Sequence, residues 1–125
     1  MSKSLSIAAA GIVGCLIFGA EAKAQNCAAD PVYFNGDLAE VEGPMTVKAG
    51  KGCYFNLNGI PGAVTETVIS QKPRTGRAGI NGLKPYYMAK PGYQGPDAFA
   101  YTFIGTGRYG GPMRVTIKRK ITVVP

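Results

Sequence analysis

From residue 97 the chain alternates strictly. Asp97, Phe99, Tyr101 and Phe103 share one side; Ala98, Ala100 and Thr102 share the other. Gly- and Pro-rich residues 91–96 lead into this run. The pattern predicts a half-buried strand entered through a tight corner. A second long alternation follows. Met113, Val115, Ile117, Ile121 and Val123 keep one parity, and Arg114, Thr116, Lys118, Lys120 and Thr122 keep the other. Arg119 falls on the apolar parity. A bulge or the end of the strand is expected there, because burying an unpaired Arg costs several kcal/mol. A third alternation puts Cys53, Phe55 and Leu57 on one face and Tyr54, Asn56 and Asn58 on the other.

Shorter segments fill the intervals. Residues 31–34 read as an edge strand that starts on a Pro, where a missing N–H is tolerated. Residues 35–37 are turn material. Residues 44–48 read as a strand and 49–52 as a turn. Residues 64–70 are rich in Val, Thr and Ile and predict a strand, although their alternation is muddled. Residues 71–77 form a basic turn, and residues 78–80 and 83–88 read as two further short strands. No segment after residue 25 shows a helical period. About seven short strands at intervals of about ten residues predict an all-β sandwich, with Cys53 on its second strand and Tyr101 on its sixth.

The N-terminal residues change the compartment. Lys3 gives a short basic start, residues 5–20 are apolar or small, and Ala22-Lys23-Ala24 offers small residues where a signal peptidase reads. Residues 1–24 are therefore expected to be a cleaved signal peptide, with Gln25 as the new N-terminus. The run is shorter than the ~20 residues of a spanning helix, so no membrane span is expected in the mature chain. A lipoprotein anchored through Cys15 is the alternative, opposed by the apolar residues that continue past it. Removing Lys3, Lys23 and Glu21 leaves twelve basic and six acidic side chains, a net charge of +6. Cys27 and Cys53 are the remaining cysteines. An even pair in an exported domain predicts one disulfide, which stabilises by roughly 3–4 kcal/mol in the chain-entropy model. Residues 25–42 are then a polar segment tied down by that bond, and residues 43–125 the sandwich.

Gly92, Tyr93, Gly95, Asp97, Phe99 and Tyr101 form a Gly-Tyr-x-Gly-x-Asp-x-Phe-x-Tyr run. It resembles the signature of bacterial immunoglobulin-like and cadherin-like modules of exported proteins. The aromatic residues 83–87 before it, and Pro73 and Gly76 before those, extend the likeness over residues 45–124. The chain departs from the pattern in standing alone and in carrying a cysteine pair. The resemblance implies an immunoglobulin-like antiparallel β-sandwich of about seven strands and a structural corner at Gly95, Asp97 and Tyr101. Asp97 would accept from backbone N–H groups there, and the Tyr101 hydroxyl would reach back to backbone as a tyrosine corner. Phe103 stands where an immunoglobulin domain has its second cysteine, which leaves Cys27 as the partner for Cys53.

The chemistry points to binding. Histidine is absent. Glu40 and Glu42 read as a solvated patch rather than a general acid and base, and Ser70 lacks a triad or dyad signature. No Asp-x-Asp-type run offers the oxygen cluster that calcium needs, so neither cofactor nor metal is expected. Candidate binding residues fall in three groups: Lys72, Arg74 and Arg77 on the basic turn; Arg114, Lys118 and Lys120 on the last strand, with Arg119 beside them; and Arg108 and Tyr109 in the glycine loop of residues 105–112. The charged strand also reads as an edge kept soluble by Lys and Arg. The reading is a non-catalytic exported binding or adhesion-type module that recognises a protein or an envelope or host polysaccharide surface. The alternatives are a structural or accessory subunit assembling through an exposed sheet edge, and a basic binder of anionic polymers. Nucleic acid is not an expected physiological partner of an exported chain.

Overall fold

The alternating segments become the long strands that face each other across the core. The computed structural model describes residues 26–125. The signal-peptide and Cys15 readings fall outside the described residues. Eight strands follow in order: β1 (Cys27–Ala29), β2 (Leu38–Lys48), β3 (Gly52–Tyr54), β4 (Gly62–Gln71), β5 (Arg77–Asn81), β6 (Lys84–Met88), β7 (Gly95–Gly107) and β8 (Pro112–Val124). A five-stranded sheet has the order β1-β2-β8-β7-β4, and a three-stranded sheet the order β3-β6-β5. The chain is an all-β sandwich. Its strand order is immunoglobulin-like, with β3-β6-β5 at the B-E-D positions and β8-β7-β4 at the G-F-C positions.

Four expectations need correction. The sheets are not wholly antiparallel: β2 runs parallel to β8 from Leu38 opposite Arg114 to Lys48 opposite Val124. A parallel pair needs a long connection, and here β3 to β7 all lie between the partners. The sandwich also takes in part of the segment assigned to residues 25–42, because β2 begins at Leu38. The N-terminal edge strand is Cys27–Ala29, not residues 31–34, and it pairs with the second half of β2. Finally, β8 lies inside its sheet between β2 and β7, so its Lys and Arg residues do not guard an edge.

The inward parity of β2, β7 and β8 supplies Met45, Val47, Phe99, Phe103, Val115, Ile117, Ile121 and Val123 to the core. Cys53, Phe55 and Tyr87 meet them from the other sheet. The muddled alternation of β4 has a structural cause: its pairing with β7 shifts register between Val64 and Glu66 and again between Ile69 and Gln71. Such irregularities also roughen an otherwise free ten-residue edge against pairing with another chain.

The two sides of the sandwich are closed differently. On one side the Cys27–Cys53 disulfide joins β1, an edge of the larger sheet, to β3, an edge of the smaller, with the Cα atoms 5.8 Å apart. On the other side the connection from β4 to β5 folds over the Asp97 carboxylate. That carboxylate accepts from the N–H groups of Arg74 (2.8 Å), Gly76 (3.0 Å) and Ala98 (2.9 Å), and from the hydroxyls of Thr75 (2.9 Å) and Tyr87 (2.7 Å). Gly95 enters this corner at φ +132°, and a Cβ there would sit 3.0 Å from the Tyr93 hydroxyl. Tyr101 does not act as a tyrosine corner. Its ring points into the core, and its hydroxyl accepts from Arg119 Nε at 3.1 Å. Backbone at the corner is reached by Tyr93 instead, which donates to the Pro96 carbonyl at 2.6 Å.

Burial works against the charged form of Asp97, but the hydrogen bonds from Tyr87, Gly76, Arg74 and Ala98 outweigh it and bring the carboxyl down to about 2. A folded-state value below the unfolded one stabilises above the unfolded pKa of ~4, and that stability is lost as pH falls from there through about 2. The step is worth roughly 2 kcal/mol. A melting series from neutral pH to pH ~2 is expected to show it in the parent protein, and the Asp97→Asn variant to be destabilised at neutral pH by ~2 kcal/mol and to lack it. Parallel acid limbs for the two proteins would contradict this role.

Candidate functional site

β8 crosses the core without a break. Its ladders to both β2 and β7 run in continuous register through Arg119, so the bulge expected at that residue is absent. Strand geometry then sends the side chain inward with its neighbours Ile117 and Ile121, and Arg119 is only 5% exposed. In the parallel pairing its neighbour on β2 is Gly43. A Cβ there would stand 2.6 Å from Arg119 Nη1, so the glycine clears space for the guanidinium.

The guanidinium lines a cavity of about 470 Å³ beneath the disulfide. Phe55, Tyr101, Phe103 and Ile117 wall the cavity from the two sheets. Val32 and Phe34, from the leg between β1 and β2, line it from a third side and leave it partly open to solvent. Asp30, Tyr54, Asn56 and Asn58 also line it and are exposed at its rim. Arg119 Nε donates to the Tyr101 hydroxyl, Nη1 donates to the Asp30 carbonyl at 2.7 Å, and Cζ lies 5.1 Å from the centre of the Phe55 ring. The aromatic face and the two oxygens offset part of the cost of burying the charge. Among the described residues no carboxylate pairs with Arg119; the ion pair found there is Lys118 with Glu40. Burial pushes the Tyr101 hydroxyl above its ordinary pKa, against the pull of Arg119, so it stays protonated. Neither its hydrogen nor the Nη2 hydrogens have a protein acceptor among the described residues.

The residues nominated from charge do not converge. Lys72, Arg74 and Arg77 are exposed on or beside the β4–β5 turn, near the start of β7. Arg108 and Tyr109 are exposed on the hairpin at its far end, with Tyr109 90% exposed. Thirteen residues of β7 separate these groups, a span of up to ~40 Å. Arg114, Lys118 and Lys120 do share the outer face of β8, but Arg119 points the opposite way. β2 sets Glu40 and Glu42 beside them, and Glu40's hydrogen bond and charge hold Lys118 above its ordinary pKa. The outer face is therefore a mixed-charge ladder rather than a basic surface. Sequence reasoning missed Asp30, Phe55 and the cavity. The signal that leads to them is Arg119 itself, a cation on an unbroken apolar parity.

No protein-family model matches the chain, and no curated protein matches it. Among solved structures, the 2,6-sialyltransferase of Vibrionaceae Photobacterium sp. JT-ISH-224, in a ternary complex with CMP and lactose, is 14% identical with a TM-score of 0.40. The match covers 74% of this chain and 18% of that one. A likeness at this level carries no argument about function.

A double-mutant cycle tests the polar centre. Tyr101→Phe in the parent is expected to cost about 1–2 kcal/mol, and in an Arg119→Met background much less, a coupling of about 1 kcal/mol. Additive effects would show that the two side chains do not meet.

Proposed function

We propose that this chain is an exported, non-catalytic binding domain of immunoglobulin-like type, and that its ligand enters the cavity floored by Arg119. The observation that carries this reading is the guanidinium itself, 5% exposed, in a cavity, with no carboxylate partner among the described residues. A buried charge left without a counter-ion costs stability, and such costs concentrate at functional sites. The signal-like N-terminus and the disulfide support an oxidising, extracytoplasmic setting. Support for a non-catalytic role comes from the acids. Asp97 is engaged by six donors at the corner, and Glu40 and Glu42 lie exposed beside lysines. The partner remains of the class expected from the sequence, a protein or an envelope or host polysaccharide, now read at a cavity rather than along a charged strand.

Capture of an envelope fraction by the immobilised protein tests this. Binding is expected to persist at physiological salt, where the Debye length is ~8 Å. It should survive charge reversal of Lys118 and Lys120, and fall about tenfold or more in Arg119→Lys, which keeps the charge but loses the planar fork. Capture that collapses with salt and with charge reversal, but ignores Arg119, would place function on the anionic-polymer alternative.

A further inference from the structure

We infer that the group of the partner that enters the Arg119 cavity is a monocarboxylate carried on an apolar, planar body. This rests on the binding reading above and adds the chemical class of ligand. Arg119 presents a planar, fixed array of N–H donors suited to charge-assisted bonds with a carboxylate. Its Nε and Nη1 are held by Tyr101 and the Asp30 carbonyl, so the orientation is set before a ligand arrives. Both residues line the cavity, and Nη2 and the Tyr101 hydroxyl hydrogen have no protein acceptor among the described residues. Together they match the two oxygens of one carboxylate.

Charge selects against heavier anions. Among the described residues that line the cavity, Arg119 is the sole cation and Asp30 the sole acid. A phosphate dianion would bring two charges to one guanidinium, whereas a carboxylate matches Arg119 one for one, with the exposed Asp30 at the rim opposing the extra charge. The walls select the rest of the ligand. Phe55 and Phe103 line the cavity on either side of Tyr101, each in ring contact with it, and a volume of about 470 Å³ suits a group of modest size. Gly43 keeps the guanidinium in place by carrying no side chain.

The test is a titration of the protein produced from the full-length chain, followed by the ¹⁵N resonance of the Arg119 guanidinium. The probes are benzoate, its neutral amide benzamide, and phenylphosphonate. Benzoate is expected to shift the Arg119 signal saturably and to bind about tenfold or more tighter than either other probe. In Tyr101→Phe the benzoate affinity is expected to fall several-fold, with the Arg119 signal still responsive. Benzamide binding as tightly as benzoate, or phenylphosphonate binding tighter, would overturn the ligand class. If no probe moves Arg119 while envelope capture still depends on it, the inference fails and the binding reading stands. If capture is also indifferent to Arg119, both fail.

Discussion

A guanidinium that cannot leave the core organises this domain. Arg119 sits on the inward parity of β8, and the ladders on both of its flanks run straight through it. No slip of register is open to it, because a shift by one residue would expose every apolar neighbour on the strand. The surroundings therefore adapt to the charge. β2 carries a glycine at the adjacent position, β3 leads into Phe55 beneath the cation, β7 supplies the Tyr101 hydroxyl, and the N-terminal leg supplies the Asp30 carbonyl. Four separate parts of the chain meet one side chain, and the space they leave is the cavity.

The closures of the two sides follow from that arrangement. The opening strand pairs with β2 in the larger sheet rather than with β3, so the edge of the small sheet lies open beside the cavity. A covalent bond from Cys27 to Cys53 spans that gap. The opposite side is held without covalent help, by one carboxylate that gathers the β4–β5 turn, Tyr87 and its own strand. The covalent staple thus stands on the side that carries the cavity, where a noncovalent closure would compete with access.

Much of the fold was legible as alternation. β7, β8 and the segment from Cys53 read correctly because each buries one clean parity, and the two cysteines left one pairing to consider. β2 was harder. Its first half turns only Ala39, Val41 and Gly43 inward, too little apolar volume to announce a strand, and its parallel partner lies at the other end of the chain. β4 was recognisable by composition, but its two register shifts erased its period. The site was legible only as an anomaly. Exposed cations such as Arg108, Lys118 and Lys120 attract attention through charge, yet the structure scatters them or sets acids beside them. Arg119 was visible on the wrong parity. The general cost of burying an Arg argued for a bulge, and only the tertiary partners Gly43, Phe55, Tyr101 and Asp30 show how the strand keeps it inside.

The most direct test of this account is the hydrogen exchange of the Arg119 Nε–H in the ligand-free protein. The account predicts one sharp, slowly exchanging signal, protected by the hydrogen bond to Tyr101 and by burial in the core. Exchange as fast as that of Arg108 or Arg114 on the surface would contradict it. It would mean that the side chain leaves the core, and that the cavity holds no fixed charge.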